Sequence, residues 1–223
     1  DAITVGVRNV ALSANALSSD TKGSHSVAIG YNSLFNQNFT SATETYNTAV
    51  GYNTGSSIST GVNNTLIGGL AGDALTDADS NVAIGKFALS SDTLGSKSTA
   101  IGTGSLFAQN FTSATESFNV AVGHNAGAAV TTGTDNTLIG GAAGDALTTS
   151  NGNTALGRLA LSAETSSNGN TAIGAEALKN QNVGGSGDAR NTAVGLLAGA
   201  NISTGVKNVI LGSRAGDALT DAD

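Results

Sequence analysis

The sequence predicts an all-β fold, a parallel β-solenoid of about twelve coils, and two observations predict it. A five-residue motif recurs along the whole chain: Asn or Ser, a β-branched residue, two small or aliphatic residues and, in most copies, Gly. Bulky core residues are scarce, because aromatic residues make up 4 % of the chain, Gly occurs 31 times, and Trp, Met, Pro and Cys are absent. A short fixed period indicates stacked repeats. Small side chains also suit thin coils better than a wide, close-packed core.

The coils differ in length in a regular way. When the fifth residue of each motif is taken as a marker, every fourth step between markers is longer than the rest, which gives 17-residue and 21-residue coils and a 72-residue period. The sequence repeats with the same period, because residues 34–51 recur almost unchanged at 106–123 and in altered form at 178–195. We therefore expect residues 1–223 to be a single repeat array, three super-repeats of four coils cut at both ends, within a longer fibre protein. The markers are Ser13, Gly30, Gly51, Gly68, Gly85, Gly102, Gly123, Gly140, Gly157, Gly174, Gly195 and Gly212.

Each motif predicts one short strand. Its second place is always Val or Thr and its fourth place Val, Ile or Leu; β-branched residues favour strands, whereas they and Gly are poor helix formers. Four residues after the marker, the chain runs Leu, Leu, Gly, Gly in pairs, beginning with Leu17, Leu34, Gly55 and Gly72. A small residue precedes each of them, and this predicts a second short strand on the other side of the coil. The Asn residues of the first place predict a stacked ladder of side-chain amides that bonds turn backbone.

Alternation along the strand predicts which residues face inward. We expect the second and fourth places, such as Val27 and Ile29, to fill the coil, and the third place to form an apolar stripe on the outside. A continuous apolar stripe needs a cover, so we expect identical chains to pack together as a homo-oligomer. The stripe comprises Ala28, Ala49, Leu66, Ala83, Ala100, Ala121, Leu138, Ala155, Ala172, Ala193 and Ile210.

The motifs SVAIG at 26–30, NTAVG at 47–51 and NTAIG at 170–174 resemble the head repeats of trimeric autotransporter adhesins, the YadA-like family, and the repeat arrays of bacteriophage tail fibres. The resemblance covers essentially the whole chain. It implies a β-roll, left-handed and homotrimeric, that serves as a rigid spacer or adhesive surface in a fibre. The adhesin heads have shorter coils than the 17-residue and 21-residue coils of this chain.

Charge and composition exclude several classes of partner and site. The net charge is −7, with nine scattered Lys and Arg residues, so nucleic acid is not an expected partner. The sequence has no apolar run of membrane-spanning length. With two His and no Cys, and without a recurring Ser, His and acid set, we expect no zinc site, no catalysis and no cofactor. The Asp-rich turns allow either calcium binding or a solvated turn; their residues are Asp77, Asp79, Asp217, Asp221 and Asp223.

The 21-residue coils are the candidate places for receptor contact, because each carries four extra residues and loops on a rigid scaffold commonly bind. Their amide, aromatic and acidic side chains suit a sugar. The alternative is that Phe39 and Phe111 fold back to cover a coil edge or fill a subunit interface. The candidate contact residues are Asn38, Phe39, Glu44, Asn110, Phe111 and Glu116.

Three functions follow as hypotheses. The first is a structural fibre segment, shaft or head, of a tail fibre or surface adhesin, located on a virion or outside a cell and supporting attachment. The second is direct binding of host polysaccharide or surface protein through the 21-residue coils. The third is ice binding, which needs a flat array of outward Thr, whereas the second place alternates irregularly between Thr and Val.

Overall fold

The fold is an all-β parallel solenoid, as the sequence predicts. The computed structural model describes residues 6–185 and 187–221, and within these ranges it has strands and turns but no helix. The chain divides into two compact units, Asp1–Ser117 and Phe118–Asp223. Each motif forms one three-residue strand at its second to fourth places, so every unit contains six coil strands.

In the first unit the coil strands are β1 (Val10–Leu12), β3 (Val27–Ile29), β5 (Thr48–Val50), β6 (Thr65–Ile67), β7 (Val82–Ile84) and β9 (Thr99–Ile101), with two-residue strands β2 (Gly23–Ser24), β4 (Thr43–Glu44), β8 (Gly95–Ser96) and β10 (Thr115–Glu116) between them. In the second unit they are β11 (Val120–Val122), β12 (Thr137–Ile139), β13 (Thr154–Leu156), β14 (Thr171–Ile173), β15 (Thr192–Val194) and β16 (Val209–Leu211).

Within each unit the coil strands pair in parallel with their motifs in register. Ala49 lies opposite Leu66 in the first unit, and Leu138 lies opposite Ala155 in the second. The parallel register follows from the sequence, because each coil brings the chain back to the same place one strand spacing further on, about 4.8 Å.

The predicted assignment of the two strand faces is wrong. All the third-place residues of the predicted outer stripe are buried inside a single chain, whereas their second-place and fourth-place neighbours are partly buried or exposed. The physical reason is that turn side chains such as Leu34, Leu75 and Leu147 fill the rest of the interior, which leaves room for one strand column but not for two β-branched columns. The residues that lie in the core instead of outside are Ala28, Ala49, Leu66, Ala83, Ala100, Ala121, Leu138, Ala155, Ala172, Ala193 and Ile210.

The second strand predicted after each marker is also wrong. Leu17 and Leu34 lie in turns, with φ of 52° and 49°, and the Gly residues at the same place have similar angles, such as 55° at Gly144. Because Leu and Gly share this left-handed backbone, packing decides between them. A Cβ on Gly144 would lie 2.7 Å from Leu138 Cδ2 and 2.8 Å from Leu147 Cδ1. Gly therefore stands where aliphatic side chains already fill the coil.

The predicted Asn ladder is present, and most of its short bonds join side chain to backbone. Asn136 Oδ1 accepts the backbone N–H of Asn153 at 3.0 Å, and Asn136 Nδ2 donates to the Ser150 carbonyl on its own coil at 2.8 Å. The backbone N–H of Asn136 in turn donates to Asn119 Oδ1 at 3.0 Å. Asn136 thus closes its own coil and ties it to both neighbours. Asn47, Asn64, Asn81, Asn119, Asn136, Asn153, Asn170 and Asn191 are all completely buried.

A buried acid and a buried Gln carry this ladder through each 21-residue coil. In the first unit Ser26 stands in the Asn place, and Gln37 fills the gap, because its Nε2 donates to Ser26 Oγ at 2.9 Å while its Oε1 accepts from Asn47 Nδ2 at 2.8 Å. Gln37 Nε2 also donates to Asp20 Oδ2 at 2.7 Å. Asp20 also caps the turn that follows it, because its Oδ1 accepts the backbone N–H of Gly23 at 2.9 Å.

The same arrangement returns at 72-residue intervals. Asp92 and Gln109 repeat it in the first unit, with 2.6 Å between Gln109 Nε2 and Asp92 Oδ2. Glu164 and Gln181 repeat it in the second unit at 3.2 Å. Sequence reasoning missed these acids, although they stand seven residues after a marker, where the other coils have Ile, Leu, Val or the Gln itself.

Glu164 is the most heavily hydrogen-bonded of these acids. Its Oε1 accepts the backbone N–H groups of Thr165, Ser166 and Ser167 at 2.9 to 3.0 Å. Burial alone would raise the pKa of Glu164, but the hydrogen bonds from Ser167, Ser166 and Gln181 outweigh it and place the pKa below its ordinary value. The ionised form is therefore the one that the coil stabilises.

Replacing Glu164 by Gln should reduce the stability at neutral pH and flatten its dependence on pH. A carboxyl with a lowered folded-state pKa stabilises the fold above its unfolded pKa, about 4.3, and this contribution is lost as pH falls through the folded-state value. We expect the free energy of unfolding of the wild type, measured in urea, to fall steeply below about pH 5. That of Glu164→Gln should fall less over the same range. The exposed Asp135→Asn is the control. Equal pH profiles for Glu164→Gln and the wild type would contradict this role.

Candidate functional site

The aromatic side chains of the predicted contact loops do not reach solvent. Phe39 and Phe111 are 6 % and 5 % exposed, so the alternative in which they fold back is the correct one. The backbone N–H of Phe111 donates to Asp92 Oδ1 at 3.1 Å, and the ring lies against Gly95, where a Cβ would come within 2.7 Å of Phe111 Cδ2. A sugar cannot stack on either Phe ring in this conformation.

The amides of the predicted contact loops are exposed but tied to the preceding coil. Asn38 Oδ1 accepts the Thr21 hydroxyl at 3.2 Å, and Asn110 Oδ1 accepts the Thr93 hydroxyl at 3.1 Å. The remaining hydrogen-bonding capacity of both amides faces solvent. These two residues therefore keep the position that the sequence predicts for contact residues.

The two predicted acidic contact residues are exposed but have different partners. Glu116 forms an ion pair with Lys97. Glu44 instead accepts the Tyr46 hydroxyl on Oε2 at 2.8 Å. This hydrogen bond to Glu44, together with burial and the carboxylate charge, raises the pKa of Tyr46. The environment of Glu44 is therefore set by an aromatic neighbour, and that of Glu116 by a cation.

A cleft of about 330 Å³ opens beside Glu44 in the first unit. The neighbouring coil supplies His25, whose ring stacks on Tyr46 at 5.0 Å between centroids, and the coil before it supplies Arg8. Arg8 Nη1 lies 3.2 Å from His25 Nε2. The cleft is lined by Val7, Arg8, Ser24, His25, Ala42, Thr43 and Glu44.

The contact between Arg8 and His25 fixes the tautomer of the ring. A guanidinium only donates, so His25 Nε2 accepts and the hydrogen of the neutral imidazole is on Nδ1. Nδ1 is buried and has no hydrogen-bond partner. A buried polar atom without a partner costs free energy.

Sequence reasoning singled out Glu44, and Tyr46 beside it, but missed Arg8 and His25. Arg8, His25 and Tyr46 occupy the same place in three successive coils, immediately before the motif, and all have positive φ. Reading that place as a column would have brought them together. The two His residues gave no such signal when compared only with each other, since His124 lies at a different place in its coil.

The Asp-rich turns are held by their own neighbours. Asp77 Oδ1 accepts the hydroxyls of Ser59 and Thr60 at 2.6 and 2.7 Å, and these bonds lower the pKa of Asp77. Asp221 accepts the corresponding hydroxyls of Ser203 and Thr204 at 3.0 and 3.1 Å.

Other acids do not gather into a metal site. Asp79 Oδ1 accepts the Val62 N–H at 2.7 Å, and Asp217 is exposed. The described residues contain no group of three or more His, Cys, Asp or Glu placed to hold a metal ion. Asp223, the last of the predicted calcium candidates, lies outside the described residues.

Two further acids, Asp73 and Asp145, stand at equivalent places in successive super-repeats, and each has a buried Oδ1 without a hydrogen-bond partner. Burial raises the pKa of both carboxyls. They follow Gly72 and Gly144 in turns of the coil. Neither acid lines the cleft, so the residues around Glu44 are the better candidate for a site.

Neither membrane spans nor known relatives identify the chain further. Within residues 6–185 and 187–221, no helix is long and apolar enough to cross a membrane. No family model, no curated protein and no solved structure matches the chain. The resemblance to adhesin heads and tail fibres is therefore a hypothesis that rests on the repeated motif.

Proposed function

We propose that this chain is a structural fibre segment, shaft or head, of a bacteriophage tail fibre or surface adhesin, and that it supports attachment to a host or surface. The observation that supports the proposal is the repeated Asn ladder, in which a buried Asn amide, or a Ser with a buried Gln, joins one coil to the next. Stability in such a stack is the sum of identical coils and coil interfaces. A protein of this design gains length by adding coils and needs no new core.

We further propose that identical chains associate through the outer face of the coil strands, as a homotrimer. The fourth place forms a column of aliphatic residues on that face, and Ile67 and Leu156 are 38 % and 43 % exposed. A regular apolar column of this kind needs a cover. The sequence predicted association through an apolar column on the outside of the strands. The exposed column is the fourth place and not the third, so the proposed interface lies on the opposite strand face from the one predicted.

A Lys at Ile67 or Leu156 should break this association, because a charge would be buried without a partner between the chains. We expect sedimentation velocity to show the wild type as an oligomer and both variants as monomers with unchanged circular dichroism. Thr103→Lys, which adds the same charge at an exposed residue outside the strands, should leave the assembly intact. A wild type that sediments as a monomer, or variants that sediment like it, would refute the proposed interface.

Direct receptor contact is the second proposed function, now carried by a smaller set of residues. Asn38, Glu44, Asn110 and Glu116 are exposed, and the cleft beside Glu44 gives one of the 21-residue coils a place for a ligand. Phe39 and Phe111 are buried, so they are not among the proposed contact residues.

Ice binding has partial support. The second place does face outward, and four successive coils of the second unit carry Thr there: Thr137, Thr154, Thr171 and Thr192. The array is broken by Val82 in the first unit and ends at Val120 and Val209 in the second. The column beside it is aliphatic throughout, which suits a protein neighbour as well as it suits ice.

Immunogold labelling tests the structural proposal directly. Antibodies raised against residues 1–223 should place gold particles on fibres that project from the virion or cell surface of the source organism. Labelling confined to the cell interior, with unlabelled fibres, would contradict the proposed location and with it the role in attachment. Pre-immune serum is the control.

A further inference from the structure

We propose that the cleft between Arg8, His25 and Glu44 binds an uncharged saccharide, with the sugar hydroxyls as the recognised groups. This inference rests on the receptor-contact function proposed above and narrows it to the first 21-residue coil and the two coils before it. It places a ligand where the sequence suggested only a loop. The cleft volume of about 330 Å³ lies at the lower end of the range of small-molecule sites, about 300 to 1,000 Å³.

The charges that line the cleft favour an uncharged ligand. Arg8 and Glu44 carry opposite formal charges, so a free anion would meet the Glu44 carboxylate and a free cation would meet the Arg8 guanidinium. A neutral ligand is repelled by neither. Burying an ion beside a like charge would also cost free energy that a hydroxyl does not incur.

The hydrogen-bonding groups of the cleft match a pair of sugar hydroxyls. Glu44 Oε2 is occupied by the Tyr46 hydroxyl, and this leaves Oε1 to accept. Arg8 uses Nη1 toward His25, and this leaves its other N–H groups to donate. A hydroxyl both donates and accepts, so neighbouring hydroxyls can satisfy a carboxylate and a guanidinium together.

The His25 ring lines the cleft and stacks on Tyr46, which lies outside the lining. Tyr46 is 50 % exposed and is held in place by the His25 ring and by its hydrogen bond to Glu44. Val7 and Ala42 add small apolar patches to the wall. Apolar patches of this kind can take the C–H side of a ligand whose hydroxyls point elsewhere. Since the rings are already ordered, little side-chain entropy is lost on binding.

The next super-repeat provides an internal comparison. The residues at equivalent places there are Ser80 for Arg8, Lys97 for His25 and Glu116 for Glu44. In that coil Lys97 and Glu116 pair with each other, so the acid that would accept a hydroxyl already has a cation. Glu44 and Glu116 therefore stand at equivalent places in the fold and differ in whether their carboxylate is engaged by a Lys.

The test is an NMR titration of the whole 223-residue chain with its His side chains isotope-labelled. The chain has only two His residues, so His25 reports on the cleft and His124 serves as the reference. The probes are methyl α-D-mannopyranoside, methyl β-D-glucopyranoside and methyl β-D-galactopyranoside, with D-glucuronate as the charged comparator. We expect at least one neutral glycoside to shift His25 saturably and to leave His124 unchanged.

Two matched substitutions test the assignment. Glu44→Gln should weaken the binding about ten-fold or more, because hydrogen bonds to a charged group contribute about 1.5 to 3 kcal/mol. Asp135→Asn, at an exposed acid outside the proposed contact residues, should leave the binding unchanged. Circular dichroism and urea unfolding equal to those of the wild type show that both variants are folded.

The outcomes separate this inference from the function on which it rests. If the wild type binds glycans on an array but Glu44→Gln binds them equally and His25 does not respond, the receptor-contact function stands and the cleft is not its site. If no neutral glycoside shifts His25 and no glycan on the array binds, both are wrong. A response to D-glucuronate alone, or an equal loss in Asp135→Asn, would also overturn the proposal.

Discussion

The buried side-chain amide at the start of each motif is the interaction on which the rest of the structure depends. Each short coil encloses little volume, so it cannot bury enough apolar surface to offset the cost of ordering its turns. The hydrogen bonds of the amide supply the stabilisation that the small apolar core lacks. It accepts a backbone N–H from the next coil and donates to a carbonyl of its own coil, such as Ser150 for Asn136. Because these bonds are shielded from water, losing one leaves buried polar groups unsatisfied.

The same constraint explains the chemistry of the longer coils. Four extra residues lengthen the coil, and a buried Gln accepts the next ladder amide across the gap, as Gln37 does for Asn47 and Gln181 for Asn191. Ser26 and Gln37 bridge the gap in the first unit, and the acid Asp20 holds the Gln amide in place. A buried acid is costly unless it is fully hydrogen-bonded, and each of these acids caps a turn as well as a Gln. The buried acid and the buried Gln therefore recur with the same 72-residue period as the long coils.

Part of this structure was predictable from the sequence, and the rest was not, for physical reasons. The strands and the Asn ladder follow from a motif with fixed places, and the structure confirms both. The face assignment failed because both strand faces are apolar, so alternation alone admits two solutions; the small size of Ala28 and Ala49 was the signal for the interior. The cleft was hidden for another reason: Arg8, His25 and Glu44 lie in three different coils, and only the stacking register brings them together.

The ladder also explains how such a scaffold can acquire a binding site. It fixes the backbone of every coil from inside, so the exposed residue before each motif can vary without loss of the fold. That place holds His25 in one coil, Tyr46 in the next and Lys97 further along. A cleft with particular chemistry can therefore arise in one coil while the coils around it remain structural.

The most direct test of the central claim is the free energy of unfolding of Asn136→Ala, measured in urea against Asn180→Ala. Both remove an Asn side chain from the second unit, but Asn136 is completely buried in the ladder and Asn180 is exposed. We predict a loss of about 2 to 4 kcal/mol for Asn136→Ala, because it leaves a buried N–H and a buried carbonyl unsatisfied, and at most about 0.5 kcal/mol for Asn180→Ala. Equal losses in the two variants would contradict the account.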